Sequence, residues 1–213
     1  TNFVIANAIT PDGAYIASRA RNTNPGGNRS AVRVTTNGLI NLDLGGLAGT
    51  KPNAANAISS DGSVLYGFTN GNSQAVRYTV SGPTGTLIPL LAGYDTSFPA
   101  PRGCSSDGSV MVGYYQNSTT FASQAFRYVQ GSGATSIPFL PGGNSNLSLA
   151  VSPDGNLTLL SGNSTSAPQG EFYLHNATTA AVTPLGTPNG SRGPFGPGGM
   201  TADGAVVVAS MKD

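Results

Sequence analysis

The sequence predicts an all-β, β-propeller-like protein, built from a repeat of about 47 residues that holds four antiparallel strands. A four-residue Asp-Gly turn recurs along the 213-residue chain, and short segments rich in Val, Ile, Tyr and Phe lie between the turns. No window has a helical apolar period long enough to compete with these strand signals. We expect one repeat domain over residues 1–213, with repeats at about 1–50, 51–97, 98–143 and 144–192 and a partial repeat at 193–213.

The recurring turn reads SSDG at 59–62 and 105–108, TPDG at 10–13, SPDG at 152–155 and TADG at 201–204. Its aspartates are spaced by 49, 46, 47 and 49 residues. Glycine supplies a positive φ, while the Asp and the Ser or Thr two residues earlier can hydrogen-bond the main chain. A calcium loop needs several oxygen ligands and each turn offers one carboxylate, so we predict a structural role. The predicted structural turn residues are Asp12, Gly13, Asp61, Gly62, Asp107, Gly108, Asp154, Gly155, Asp203 and Gly204.

The predicted strands follow one order in each repeat. A small-residue segment precedes the turn, and an apolar strand such as "SVMVGYY" follows it. The third strand is represented by "QAFRYVQ", and the fourth by "LIPLLAGY" in the second repeat and "SIPFLPGG" in the third. Four repeats of four strands and the two strands of the partial fifth repeat give eighteen strands. A ring closed from whole four-stranded blades would leave half a blade unused. The chain is then a fragment of a larger ring, a five-bladed ring with a thin blade, or a unit whose spare strands pair with a neighbour. We predict that residues 205–210 pair with another sheet, in the first repeat or in a neighbouring copy.

The repeat resembles the HAF-type extracellular repeats of bacterial surface proteins. The resemblance is carried by "SAVR" at 30–33, "QAVR" at 74–77, "QAFR" at 124–127 and "FLPGG" at 139–143. The His of that family's triplet is absent, and the fourth repeat has "EFY" at 171–173 instead of its Ala-Phe-Arg core. The resemblance implies a propeller-like secreted or surface protein and no defined enzymatic activity.

Composition excludes some partners. Only 9% of the residues are charged and the formal net charge is +1, which removes the basic surface expected of a nucleic-acid binder. No apolar run approaches the roughly 18 residues of a membrane helix. The neutral surface, rich in Asn, Ser and Thr, favours an extracellular or cell-surface setting, with any signal peptide removed from the mature form.

The sequence offers little for catalysis. His175 is the only histidine and Cys104 the only cysteine, so they cannot assemble a transition-metal cluster, and we expect no metal and no cofactor. A glycosidase would need acids from different repeats, such as Asp43, Asp95 and Glu171, to converge on the central channel. We therefore predict a non-enzymatic structural or assembly protein. The alternatives are a glycan- or protein-binding propeller module and, third, a five-bladed glycosidase.

Arginine recurs at one position of the repeat, as Arg33, Arg77 and Arg127. Repetition favours a structural role, and we predict that each guanidinium binds a turn aspartate of its own or an adjacent repeat. The fourth repeat, with Tyr173 at the corresponding position, lacks this pair.

Two sets of residues are candidates for modification or binding. Aromatic residues in predicted loops could stack on sugar rings, although one of the adjacent Tyr114 and Tyr115 should pack inward. The candidate ligand contacts are Tyr94, Phe98, Tyr115 and Phe195. Asn-x-Ser/Thr sequons indicate either a secreted glycoprotein or a polar bacterial surface that forms sequons by chance. The candidate glycosylation sites are Asn28, Asn117, Asn146, Asn156, Asn163, Asn176 and Asn189.

Overall fold

The computed structural model of the protein describes residues 3–21, 29–37, 40–43, 52–69, 74–91, 94, 100–117, 119–186 and 194–211. All regular structure in these ranges is β-strand, which confirms the predicted all-β class. Eighteen strands lie within the described residues. They are β1 (Phe3–Ile9), β2 (Tyr15–Arg21), β3 (Arg29–Thr35), β4 (Ile40–Asp43), β5 (Pro52–Ile58), β6 (Val64–Thr69), β7 (Ala75–Thr79), β8 (Gly82–Leu87), β9 (Ala100–Cys104), β10 (Val110–Gln116), β11 (Ser123–Val129), β12 (Gly133–Ser136), β13 (Asn146–Val151), β14 (Leu157–Gly162), β15 (Glu171–Asn176), β16 (Val182–Gly186), β17 (Pro194–Met200) and β18 (Val207–Met211).

The strands form four four-stranded antiparallel sheets and one two-stranded sheet. We number them in chain order: sheet 1 is β1–β4, sheet 2 is β5–β8, sheet 3 is β9–β12, sheet 4 is β13–β16 and sheet 5 is β17–β18. Within each sheet, every strand pairs with its neighbour in sequence. The first strands of consecutive sheets pack on one another, β1 on β5, β5 on β9, β9 on β13 and β13 on β17. The sheets are therefore stacked in chain order around their first strands.

Apolar side chains fill the junctions between these sheets. One cluster joins sheets 1 and 2 through Ala17, Leu65 and Tyr78. A second joins sheets 2 and 3, where the rings of Tyr115 and Phe126 stack with centroids 4.5 Å apart. The third cluster joins sheets 3 and 4 around Ile137, Leu140, Leu160 and Tyr173. The core is therefore divided among the junctions, one cluster between each pair of these sheets.

The predicted fourth strand is misplaced in sheets 2 and 3. The observed strands β8 and β12 end before the "IPLLAGY" and "IPFLPGG" segments, which form no strand in their described residues. The ladder ends because Ile88 N–H and Ile137 N–H make its last bonds, to Ala75 O and Ala125 O, and a proline without an N–H follows each isoleucine. Both isoleucine side chains are buried, so these segments serve as anchors for the core.

Candidate functional site

The five Asp-Gly turns have the same hydrogen bonds. In each, the Ser or Thr hydroxyl donates to the Asp Oδ1 at 2.5–2.7 Å, and the same oxygen accepts the main-chain N–H two residues on at 2.9–3.0 Å. These bonds stabilise the ionised carboxylate, and they lower the pKa of all five aspartates. The hydrogen bond from Ser105 is the largest cause at Asp107, whose pKa falls to about 2. Each turn carboxylate thus accepts hydrogen bonds from its own turn.

The turn glycines connect one sheet to the preceding one. Each has φ between +67° and +77°. A Cβ on Gly62, Gly108, Gly155 or Gly204 would lie 2.5–3.0 Å from a side chain of the preceding sheet. These neighbours share one position, three residues after the preceding turn Asp: Tyr15, Val64, Val110 and Leu157. Glycine is therefore required for its backbone conformation and also for the close approach of neighbouring sheets.

Polar side chains reinforce the junctions at the same turns. Arg33 Nη1 donates to Gly62 O at 2.8 Å, while its guanidinium lies 4.2 Å from the Tyr15 ring centroid. Arg127 donates through Nε and Nη2 to Gly155 O, at 3.3 and 3.1 Å. The acceptor in both bonds is a main-chain carbonyl of the following sheet. The prediction of an aspartate acceptor is therefore wrong for Arg127.

The junction between sheets 2 and 3 uses a tyrosine for this bond. Tyr66 Oη donates to Gly108 O at 2.7 Å, the carbonyl that corresponds to the acceptors of Arg33 and Arg127. Burial raises the pKa of Tyr66, an effect that the neighbouring Arg77 charge opposes. At three junctions, therefore, a side chain of one sheet donates a hydrogen bond to the turn glycine carbonyl of the next sheet.

Strand register corrects the position assigned to Tyr173. Arg127 pairs with Val112, and the corresponding pair in sheet 4 is Leu174 with Leu159. Leu174 therefore occupies the arginine position, and its Cδ1 would lie 3.5 Å from a Cβ on Gly204. An apolar contact replaces the hydrogen bond at the junction with sheet 5.

Asn146 is the centre of a buried polar network between sheets 3 and 4. Its Oδ1 accepts Ala125 N–H at 2.6 Å, and its Nδ2 is 2.8 Å from Tyr173 Oη and 3.1 Å from Ile137 O. Gln124 donates to the same Ile137 carbonyl at 2.8 Å. The sequence shows Asn146 only as a sequon, and nothing in its spacing distinguishes this structural role.

The two terminal sheets leave broad faces uncovered. No extensive contact joins sheet 1 to sheet 5 within the described residues. Val206 and Val208 of the C-terminal pair are 54% and 69% exposed, and Val4 and Ile9 of β1 are exposed as well. Residues 207–210 pair only with β17 among the described strands. The predicted pairing of residues 205–210 with the chain's own first repeat is therefore not formed in the described structure.

The structure describes the side chains of two of the four predicted ligand contacts, Tyr94 and Tyr115. The Tyr115 ring is fully buried against Phe126, which leaves it no face for a ligand and contradicts its predicted role. Tyr94 is partly buried against the same core cluster. Phe98 and the side chain of Phe195 lie outside the described residues. The partly exposed Tyr114 carries Arg102 above its ring, 5.3 Å from the centroid.

The sequons differ in accessibility. Asn146 is buried and fully hydrogen-bonded, which contradicts its assignment as a candidate glycosylation site. Asn156 and Asn163 donate their amides to Asp154 and Asn144, respectively, at 2.9 and 2.8 Å. Asn117 and Asn176 use Oδ1 to cap hairpins with the related sequences "NSTTFA" and "NATTAA". Asn28 and Asn189 lie outside the described residues.

The structure describes the side chains of only some of the titratable residues considered for catalysis. Glu171, on the third strand of sheet 4, is buried and accepts the Ser164 hydroxyl at 2.7 Å. His175 lies on the same strand, where burial and the Arg127 charge lower its pKa, and Cys104 has its pKa raised to about 12 by burial. Asp43 is on β4, with its side chain outside the described set, as is Asp95 altogether. Within the described ranges, no three His, Cys, Asp or Glu residues are placed to hold a metal ion, and no helix has the length and apolar character needed to cross a bilayer.

Comparison with known proteins bears on the fold. No protein-family model and no curated protein sequence matches the chain. The structure is similar to TolB from Acinetobacter baumannii, with 18% identity and a TM-score of 0.57 over 87% of this chain and 44% of that one. It is also similar to a protein assigned as TolB from Agrobacterium tumefaciens, with 16% identity and a TM-score of 0.57 over 96% of this chain and 73% of that one. A prolyl endopeptidase structure matches at 13% identity and a TM-score of 0.59, over 90% of this chain and 30% of that one.

These similarities define the class of protein. The TolB-like neighbours are β-propellers, and the stacked four-stranded antiparallel sheets have the same architecture, so the chain is a β-propeller module. The identities are low enough that the similarity establishes the fold alone. The chain spans less than half the length of the Acinetobacter TolB and of the endopeptidase.

Proposed function

We propose that the chain is a non-enzymatic structural module of the cell exterior, which assembles through the uncovered faces of its terminal sheets. The observation that carries the proposal is the exposure of Val206 and Val208. Residues at the corresponding positions in the preceding sheets are covered by the next sheet. Exposed apolar surface of this kind marks a site of association.

The use of the polar side chains supports a structural role. The turn aspartates bind their own turns, and Arg33, Tyr66 and Arg127 bind main-chain carbonyls at the junctions. Asn146 connects two sheets in the same way. These groups stabilise the stack and are not directed at a common cleft. The neutral, Asn/Ser/Thr-rich composition supports an extracellular or cell-surface location.

Cross-linking on the cells that make the protein tests assembly. A photo-reactive thiol reagent is placed at Val208→Cys in a Cys104→Ala background, and the matched control carries it at Leu185→Cys, an exposed position on β16. We expect a discrete cross-linked product from position 208 and none from position 185. The absence of any product from position 208 would contradict assembly through this face.

An activity screen tests the non-enzymatic part of the proposal. The purified chain is incubated with chromogenic glycosides and with proline-containing peptides, and turnover is expected to equal that of a buffer blank. Turnover that disappears in Glu171→Gln or His175→Asn, with the fold intact by circular dichroism, would overturn it.

The pair formed by Arg102 and Tyr114 supports the alternative of glycan binding. Aromatic rings can stack on sugars, and Arg102 Nη2 is 3.3 Å from Tyr114 Oη, which fixes the ring at a partly exposed position. A glycan array compares the wild type with Tyr114→Ala. A signal in the wild type that is lost in the variant would favour this function over the structural one.

Two hairpin sequons support a secreted glycoprotein. Their asparagines, Asn117 and Asn176, cap the loops through Oδ1, and neither is buried. Intact mass, measured before and after enzymatic deglycosylation of protein from its own cells, tests this proposal. A mass equal to that of the unmodified chain would contradict it.

A further inference from the structure

We propose that two copies of the chain associate head to tail, with sheet 1 of one copy stacked on sheet 5 of the other. The inference rests on the proposed assembly function and names its partner. The complex would repeat the junction that already joins consecutive sheets within the chain. We call the exposed side of sheet 5 around Val206 and Val208 the tail face, and the exposed side of sheet 1 around Ala6, Ile9 and Gly13 the head face.

The tail face is one half of that internal junction. Val206 and Val208 stand three and five residues after Asp203. The same positions after Asp107 are Val110 and Val112, which are 5% and 0% exposed beneath sheet 4. After Asp154 the second position is Leu159, fully buried beside Gly198 of sheet 5. The tail face thus has apolar residues at the positions that are buried in the preceding sheets, but no described sheet covers them.

The head face is the other half. A Cβ on the turn glycine of sheets 2 to 5 would meet a side chain of the preceding sheet, whereas one on Gly13 would meet no atom within 4 Å. Ala6 and Ile9 correspond to Ala55, which is buried in the cluster between sheets 1 and 2, and to Ile58, which packs against that cluster, yet Ala6 and Ile9 are exposed in sheet 1. Gly13 therefore has the conformation and the clearance to pack on a residue such as Val206.

Main-chain groups in the first and last turns could also form the hydrogen bond that crosses the internal junctions. Ser60 N–H donates to Ser106 O at 2.9 Å, and Ser106 N–H donates to Pro153 O at 2.7 Å, so each bond crosses one junction. The corresponding residues at the two ends are Ala202, which has an N–H, and Pro11, which can only accept. In the head-to-tail complex, Ala202 N–H of one copy would donate to Pro11 O of the other.

A second copy is the favoured occupant because the chain carries both halves of one established interface. A tail-to-tail contact would place valines against valines and leave Gly13 and Pro11 without partners. Because a head-to-tail contact is heterologous, each added copy presents a new free face, and the association closes into a ring or continues as a chain.

Complementation between face variants tests this geometry with the purified full chain. Val208→Asp damages the tail face, Ala6→Asp damages the head face, and Leu185→Asp is the control on exposed β16. Sedimentation velocity should show a mass that rises with concentration for the wild type and the control, and monomers for each face variant. An equimolar mixture of the two face variants should form a dimer and nothing larger, because one intact head and one intact tail remain.

Three results would overturn the proposal. They are a wild type that stays monomeric at all concentrations, association that survives both substitutions, and loss of association in Val208→Asp but not in Ala6→Asp. If the wild type stays monomeric but position 208 cross-links to another protein on cells, the proposed assembly function is supported and a second copy of the chain is excluded as its partner.

Cysteine pairing provides a measurement that does not depend on the charged variants. Pro11→Cys and Ala202→Cys are made in separate chains with Cys104→Ala, and Ser60→Cys with Ser106→Cys in one chain is the internal positive control. Oxidation of the mixture should give a disulfide-linked dimer, and neither single variant should give one. Failure of the mixture to cross-link while the internal control does so would contradict the proposed register.

Discussion

At the scale of single residues, the turn glycine performs two tasks that substitution can separate. Gly13 and Gly108 have φ of +73° and +67°, but only a Cβ on Gly108 would meet another side chain, Val64 Cβ at 2.5 Å. We expect Gly13→Ala to cost about 1–2 kcal/mol of unfolding free energy, the price of a left-handed backbone. Gly108→Ala should cost about 1–3 kcal/mol more, because it also overpacks a junction.

Chemical denaturation of the two alanine variants measures this difference. Circular dichroism at pH 7 and low protein concentration keeps association out of the comparison. Equal losses of stability would show that the backbone alone requires glycine and that the close approach of the sheets does not matter.

The turn aspartates make stability depend on acid pH. The hydrogen bond from Ser105 and the Ser109 N–H lower the pKa of Asp107 to about 2, below the ordinary value of 3.8. A carboxyl with a lowered folded-state pKa stabilises the fold above its unfolded-state pKa, and this stabilisation is lost as the pH falls from about 4 to 2. Asp107→Asn keeps an oxygen acceptor but does not titrate.

We therefore expect a smaller fall in melting temperature between pH 5 and pH 2 for Asp107→Asn than for the wild type. Differential scanning fluorimetry across that range tests it, with Asp154→Asn as a second example of the same turn. Parallel curves for the variants and the wild type would show that these carboxylates do not contribute to the acid dependence.

At the scale of the structural element, the sheets are joined by donors to the turn glycine carbonyl. Tyr66→Phe removes the bond to Gly108 O and should cost about 1–3 kcal/mol, because it leaves a buried acceptor without its partner. Tyr78→Phe is the matched control, since Tyr78 Oη is buried and makes no hydrogen bond within the described residues. That variant should be neutral or slightly stabilising. Urea unfolding of both variants tests the prediction, and a similar cost for the two would contradict it.

The sequence was sufficient to predict the strands that follow each turn, because turn chemistry and apolar composition agree there. It misplaced the fourth strands of sheets 2 and 3, where "IPLL" and "IPFL" are apolar but lie in buried anchors outside the ladder. It also placed Tyr173 where Leu174 stands, because a triplet comparison does not determine strand register. The apolar composition of a segment indicates that its side chains are buried. Whether the segment forms a strand depends on whether its main-chain N–H groups have acceptors in a neighbouring strand.

The site residues were harder to predict for a related reason. The repeated arginines indicated a structural contact, but the acceptor is a carbonyl of the next sheet, and main-chain acceptors have no sequence signature. Asn146 carries a sequon that suggests exposure, whereas its neighbours in space make it the most connected polar side chain of one junction. Such roles depend on contacts between distant parts of the chain.

At the scale of the whole molecule, sheet 5 protects sheet 4. Leu159 is fully buried where Gly198 of β17 lies above it, and re-exposure of one such side chain costs about 1.5–3 kcal/mol. Deletion of residues 198–213 should therefore lower the free energy of unfolding by at least this amount and abolish association. Val206 and Val208 contribute little to the loss within one chain, because both are exposed.

Urea unfolding and sedimentation velocity of the truncated chain test both parts of this prediction. Val208→Ala is the control, since it trims an exposed side chain and leaves Gly198 in place. A truncated chain with wild-type stability and wild-type mass would contradict the covering role of sheet 5 and the use of its tail face.

Among the described residues, extensive contacts join each sheet only to the sheets beside it, and this has a consequence for local opening. Where contacts join only adjacent units, opening begins at the terminal units and moves inward, so amide hydrogens should exchange fastest in β1 and in β17 and β18. Sheets 2 and 3, covered on both sides, should retain their protons longest. In the head-to-tail complex, exchange would slow in β17 and β18 of one copy and in β1 of the other, so a sample of identical copies would gain protection at both ends of the chain.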